Sequence, residues 1–496
     1  MDTTAQMMKV TGEALAELPV GEGLAPIRVI GTEAIRETFG PQTIRQAINS
    51  RLAPGVTDVV LNPDAHVGYG APVGCVMVSP THIYPGPVGV DIKCSMSLLQ
   101  TDVPADAIAD RRVRRELIKA ITARTPTGAG KGQRSVKKAR VIDEDTGFRV
   151  ATEGASAAVL KKLGVPKAWA HRCEDASHTG TDGSIDTLAA RLEHLGRDRD
   201  SRDRLFRKYR QLGSYGGGNH FGEAEVVRVR TGMETVAEHF GLRDGHVAFL
   251  SHCGSRGLGH DLAMGQFRSM KSWFEKTGQT FPGGDKELVH APVDSDEGRR
   301  YLVDMAIGAN FATVNHLLIN ALVLEAFQTV LPGTRGELVY FISHNIARRE
   351  RVGDSMQWVH RKGATRALPA GHEELMGTAF EATGHPILLP GNPRDGSSVM
   401  RALPGASLSA YSVNHGAGRA MSRTKAKKQL DQSAIDAAMD ERDILSNCRQ
   451  YPRDEAPDAY KDFDEVLASV QQAGLAEEVA RLDARFVIKD GAPADD

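Results

Sequence analysis

Four histidines, His220, His252, His344 and His415, share one local pattern: each follows an apolar strand or a glycine turn and is flanked by Ser, Asn or small residues. Taken singly, a histidine of this kind is most often a satisfied structural residue. Four of them, with Asp91 and Cys94, are more than that explanation covers. Long stretches of chain separate them, so a shared pocket requires distant strand ends to converge. That requirement constrains the fold more than any other feature. It predicts an α+β protein with mixed sheets around a central dinuclear metal pocket and peripheral helices. The chain, 1–496, then reads as a single large intertwined catalytic domain rather than modules in series.

Asp91 and Cys94 lie in Val88–Met96, directly after Tyr84-Pro85-Gly86-Pro87. The Pro/Gly run and the β-branched Val88, Val90 and Ile92 predict a strand running into a tight turn. A carboxylate and a thiolate on one turn suit a divalent ion, since sulfur can bridge two metals. An isolated D-x-x-C is better read as a structural cysteine beside a turn aspartate; the histidines change that balance. Imidazole, thiolate and carboxylate together suit Mn, Zn or Fe, and so large a donor set points to two ions. Structural zinc sites use close pairs such as C-x2-C, which this sequence lacks.

With 496 residues, a net charge of −2 and ordinary charged content, no whole-chain field advertises a nucleic-acid partner. Five scattered cysteines argue against a disulfide framework and for a reducing compartment. Met1–Leu24 lacks a basic segment followed by an apolar one, and no apolar run reaches the ~18–20 residues of a membrane span. The expectation is a soluble cytoplasmic protein.

Strands are expected at Ile27–Ile30, at both ends of Val60–Val78, over Val227–Val229, in His246–Arg256 and at Val339–Ile342. Helices are expected at Ala105–Ala123, Leu258–Trp273 and Asp304–Leu331, where His316 reads as structural. His66 reads as a core histidine. Thr125–Arg140 reads as a flexible basic loop, and its Gly128-Ala129-Gly130-Lys131 lacks the phosphate-loop spacing. Glu153–Gln211 is helical and charged, and 130–210 has the look of a helical insertion. Leu408–Arg423 predicts a strand, then His415, then a glycine turn opening a helix. The tail from Ala459 predicts two helical segments and a last strand, Arg485–Lys489.

Asp64–Gly70, Gly89–Cys94, Gly216–Glu223, Ser251–Gly259, His344-Asn345, His360–Ala367, His415–Arg419 and Tyr460–Glu465 together resemble the RtcB family of RNA ligases. The resemblance runs from about residue 55 to Lys489. It implies a GTP- and Mn²⁺-dependent ligase, commonly with two ions, joining RNA 2′,3′-cyclic phosphate or 3′-phosphate ends to 5′-hydroxyl ends. A histidine–GMP adduct and an RNA 3′-guanylate are the implied intermediates, RNA repair or tRNA splicing the implied setting, and an archease-type activator an implied partner.

By the same resemblance His415 is the guanylylated nucleophile, with Asp64 and Arg419 as its catalytic companions. Cys94 bridges both metals. Asp91 and His220 complete one ion's ligands, and His252 and His344 the other's. Gly416, Ala417 and Gly418 would offer amides to phosphate at a helix start. Asn219 would lie along the phosphates, Glu223 would accept from the guanine edge, Tyr460 would stack on the base, and Ser397 and Lys489 would complete that pocket. Arg361, Lys362, Arg366, Arg423, Lys425, Lys427 and Lys428 could guide RNA phosphates; a solvated face is the competing view of 423–428.

Three departures stand out. Asn414 replaces a cysteine common before the nucleophile, the loop reads PGNPRDGS where PGSMGTAS-like sequences are usual, and Lys93 sits between the first two metal ligands. They leave open a guanylyltransferase that caps RNA or DNA 3′-phosphate ends without sealing them. A dinuclear metallo-phosphoesterase and a non-catalytic RNA-binding scaffold are the remaining alternatives.

Overall fold

The computed structural model describes residues 7–134, 137 and 140–492, so Ser135, Val136, Lys138 and Ala139 of the basic loop lie outside the described residues. The architecture is α+β and rests on two large sheets. The first runs Lys9–Gly12, Leu15–Leu18, Ile27–Ile30, Asp58–His66, Val73–Ser79, Ser355–Lys362, Asn345–Val352. Its neighbours are antiparallel except Ile27–Ile30 beside Asp58–His66. The second runs Gly336–Ser343, Ser95–Pro104, His246–Cys253, Phe221–Val229, Ala476–Lys489, Gly396–Ala402, Ile387–Asn392, antiparallel throughout this path. Leu445–Ser446 adds in parallel to Ala476–Lys489.

The sheets meet at His344. Gly336–Ser343 ends the second sheet's edge and Asn345–Val352 begins the first's, with His344 alone between them. A small ribbon, Ala364–Arg366 against Ser412–Asn414, carries the chain to His415. Each sheet thus delivers strand ends to one seam, as the dispersed histidines required.

The helix Asp296–Val330 runs through the interior, starting earlier than its apolar stretch because Ser295 caps the Gly298 N–H and Asp296 and Glu297 occupy the first turn. By length and composition it could cross a membrane, which the sequence was not expected to contain, but 94% of its most apolar window is buried within the protein. It is a core helix, packed against Arg111–Arg124, Glu144–Glu153 and Arg256–Thr277. Its polar side chains tie loops to the core: Asn315 accepts from the Gly213 N–H and donates to the Gly254 carbonyl. His316 bonds Ser97 and the Cys253 carbonyl and is structural, as read.

Three local expectations are corrected. Asp91–Cys94 is a turn that precedes a strand instead of ending one: Cys94 N–H closes onto the Asp91 carbonyl, and the strand is Ser95–Pro104. The tail holds one α-helix, Phe463–Gln472, and the expected second helix is the first half of a 14-residue strand, Ala476–Lys489. Its Ala and Glu content favours helix, but neighbours on both sides supply ladder bonds and burial, which outweigh propensity. The helix expected after the glycine turn opens only at Arg423, behind a Ser422 cap.

Candidate metal and nucleotide site

Two donor groups share one sulfur. Asp91, Cys94 and His220 form the first and Cys94, His252 and His344 the second, each with ligand atoms within 4.8 Å of one another. His220 Nε2 stands 2.8 Å from Asp91 Oδ2 and 3.5 Å from Cys94 Sγ. His252 Nε2 is 3.2 Å from the same sulfur and 3.3 Å from His344 Nε2. Two backbone bonds fix the Cys94 turn against the His344 segment: His344 N–H donates to the Cys94 carbonyl, and Lys93 N–H to the Asn345 carbonyl. His220 Nδ1 faces the Tyr215 carbonyl at 2.8 Å, which fixes the proton there and turns the Nε2 lone pair to the cluster.

The electrostatics fit cations. Burial drives His252 and His344 well below the usual histidine range, so both present neutral imidazoles. Burial and Asp91 push the Cys94 thiol up in the metal-free protein, and a bound divalent ion reverses that preference. Burial also pushes the Asp91 carboxyl up, but His220 and Cys94 hold it below its ordinary value. Imidazole nitrogens gathered around one sulfur and one carboxylate are a donor set that suits borderline divalent metals.

His415 adjoins the second group, its ring centroid 4.8 Å from that of His344. Asp64, fully buried, lies 2.6 Å from His415 Nδ1 and also accepts the His415 N–H. This pins the proton on Nδ1 and leaves the Nε2 lone pair available. Gly363 makes room: a Cβ there would sit 3.0 Å from His415 Cε1 and Nδ1, and its φ is +59°.

A cavity of about 320 Å³ opens beside this cluster, lined among others by Asn219, Glu223, Ser397, Gly416, Ala417, Gly418, Arg419, Tyr460 and Lys489. The expected pocket residues are therefore together. Two details differ from expectation. The Ala417 amide already donates to the Pro390 carbonyl, and the turn is a bend well before the helix, so it offers no helix N-terminus. Arg419 stacks on Tyr460 at 5.2 Å and bonds the Met421 and Asp454 carbonyls, which leaves it a pocket wall tied to the tail.

Glu455 escaped the sequence reading. It is 3% exposed, accepts from Lys489 Nζ and the Tyr460 hydroxyl at 2.8 Å each, and pairs with Arg419 and Arg423. Burial would raise its carboxyl, but Lys489 and Arg423 hold it ionised. It follows Asp454 in a short polar run with no strand or glycine signal, so no pattern marked it. Glu223 differs: burial pushes it up to about 8 against the pull of Lys489, and its Oε1 has no partner. His66, read as a core histidine, lines the cavity, as does Lys362.

Other basic residues are corrected. Arg361 is fully buried in a bidentate pair with Glu350, and Arg366 is buried against Glu374 and Glu350. Neither is free to meet RNA. Arg423 and Lys427 pair with Asp454, whereas Lys425 and Lys428 are exposed. In the departing loop, Asn392 and Asp395 bond each other and Arg394 pairs with Asp395 and Asp458, so the substitutions stiffen it. Asn414 donates to the Gly416 carbonyl inside the turn that carries His415.

The profile described as "tRNA-splicing ligase RtcB" matches residues 46–490. The tRNA-splicing ligase RtcB of Thermococcus kodakarensis is 34% identical over 456 residues, 89% of each chain. That of Nanoarchaeum equitans is 35% identical over 491 residues, covering 95% of this chain and 96% of its own. The RNA-splicing ligase RtcB of Mycobacterium tuberculosis is 35% identical over 449 residues, 88% of this chain and 98% of its own. With two donor groups sharing Cys94 beside an Asp64-oriented His415, and with this similarity along nearly its whole length, the chain belongs to the RtcB family.

Proposed function

We propose that this protein is a GTP- and Mn²⁺-dependent RNA ligase that joins 2′,3′-cyclic phosphate or 3′-phosphate ends to 5′-hydroxyl ends in tRNA splicing or RNA repair. The observation that carries the reading is the pairing of a two-metal donor set through Cys94 with His415, whose Nε2 is left free by Asp64. His415 Nε2 attacks the α-phosphorus of GTP; a P–N bond forms and pyrophosphate leaves. A 2′,3′-cyclic phosphate is first opened by water at its P–O2′ bond; an RNA 3′-phosphate oxygen then takes the guanylate, breaking the P–N bond, and a 5′-hydroxyl displaces GMP to seal the strand. Asp91, Cys94, His220, His252 and His344 would hold two manganese ions, which when bound neutralise phosphate charge and lower the pKa of an attacking hydroxyl.

Glu223 accepts from guanine N1–H and N2–H, Tyr460 stacks on the base, and Ser397 and Lys489 close the pocket. Asn219 lines the phosphate path, with Arg419 and the Gly416–Gly418 turn forming its wall. Because both sheets feed this pocket, the chain is read as one catalytic unit with its core at 55–489. The 130–210 stretch is its helical insertion, and the cytoplasm its compartment.

Incubation with α-labelled GTP and Mn²⁺ should leave covalent guanylate on the wild-type protein and none on His415→Ala. An unlabelled wild-type protein would overturn the reading. The stiffened 392–395 loop favours one second reading, in which guanylate is passed to a 3′-phosphate but the ends stay unsealed. A 3′-phosphate RNA supplied with and without a 5′-hydroxyl RNA separates the two by product length. Adding an archease-type protein to the same assay tests that partner through the rate.

A further inference from the structure

We propose that Lys461 is a positioning residue for the nucleophile: its ammonium group clamps the backbone on either side of Asp64 and so holds that carboxylate against His415 Nδ1. The inference rests on the ligase reading above and deepens it.

The strand Asp58–His66 loses its ladder register with Val73–Ser79 between Leu61 and His66. Backbone carbonyls in that stretch are buried without a strand neighbour, and an unmet buried carbonyl is costly. Lys461 meets two of them. Its Nζ donates to the Pro63 carbonyl and to the Ala65 carbonyl, at 2.9 Å each. The break in register lets one nitrogen bridge both carbonyls, which fixes the residue between them. That residue is Asp64.

The same lysine reaches the other half of the contact. Its own N–H donates to the Gly418 carbonyl at 2.9 Å, within the turn that follows His415. Gly418 is pressed onto Asp64, since a Cβ there would lie 2.4 Å from the Asp64 carbonyl oxygen, and its φ of +74° suits glycine. Lys461 is therefore bonded to both segments that the Asp64–His415 pair joins. It is 5% exposed, and its ammonium lies over the Phe39 ring at 4.5 Å. The two bonds satisfy buried carbonyls, and because those carbonyls flank Asp64 the same bonds set where its carboxylate stands. Its side chain does not line the nucleotide cavity, so it acts through Asp64 and not on substrate.

The test is a double-mutant cycle read by single-turnover autoguanylylation with labelled GTP at saturating Mn²⁺, on the full chain. Lys461→Met should slow guanylate formation roughly 10–100-fold, the usual effect of losing a group that orients a reacting histidine's partner. Lys461→Arg should recover part of the rate. In an Asp64→Asn background, Lys461→Met should add no further loss, because the lysine works through that carboxylate. Multiplying losses would overturn the proposal, as would a Lys461→Met protein labelled at the wild-type rate. Lys461→Gln repeats the cycle if the Met variant does not fold. A wild-type protein that takes no label would instead sink the ligase reading, so the two failures are distinct.

Discussion

The metal side of the pocket and the side proposed to hold the base are built on opposite plans. On the metal side the donor atoms face one another with nothing between them: Nε2 of His220, His252 and His344 crowd the Cys94 sulfur at 3.2–3.5 Å or each other at 3.3 Å. On the other side Tyr460 and Lys489 are already spent on Glu455, whereas Glu223 keeps an unpartnered oxygen. The metal half presents a donor set that suits cations. The base half holds itself together and trades internal bonds for external ones.

The largest effect should come from the atom both metal groups share. Cys94→Ala should strip both ions and abolish guanylylation, whereas His220→Ala should retain the ion held by His252 and His344. Metal content per chain by elemental analysis, expected at about two, one and none for wild type, His220→Ala and Cys94→Ala, checks this. Equal loss in both variants would mean that the two donor groups are not separate sites.

Glu455→Gln should break the base side. Removing one partner of a buried charge pair costs about 3 kcal/mol, and here it strands Lys489. Thermal melting should show that loss, with KM for GTP raised and metal content unchanged. If metal content fell as well, the two halves would not be independent.

A smaller effect concerns protons. Glu223 sits near 8 without a ligand, and guanine donors favour its ionised form, so binding releases a proton. GTP affinity should therefore rise with pH through the range from about 7 to about 8, gaining at most about tenfold per unit. KM for GTP measured against pH should show this slope, and Glu223→Gln should flatten it.

The smallest effect should be in the 392–395 loop. Asp395→Ala removes the bond to Asn392, worth ~1 kcal/mol, and should leave guanylylation intact while changing the sealing rate about fivefold. An altered first step would place the loop on the base side proper.

What could be read in advance follows the same division. Asp91, Cys94 and the histidines advertise themselves because metal chemistry restricts residue type and strand ends carry glycine and small neighbours. Glu455 did not, because its role is set by Lys489, Tyr460, Arg419 and Arg423 arriving from other parts of the chain. Arg361 and Arg366 misled for the same reason: a guanidinium reads alike in sequence whether it faces RNA or a buried Glu350. Among elements, the core helix was legible from its apolar run. The 476–484 stretch was not, since its helix-forming residues are overruled by strands that approach from residues 221–229 and 396–402.

That final strand has a temporal consequence. It is the bond between the Ile387–Asn392/Gly396–Ala402 hairpin and the four strands beyond Phe221, and its end places Lys489 against Glu455. A chain made only as far as Leu475 has its five candidate metal donors on or at the ends of four strands that already adjoin, Gly336–Ser343, Ser95–Pro104, His246–Cys253 and Phe221–Val229; what it still lacks is the strand that joins them to the hairpin and brings Lys489. On the proposed ligase reading, a growing chain would therefore gain its metal-holding half before its nucleotide-holding half.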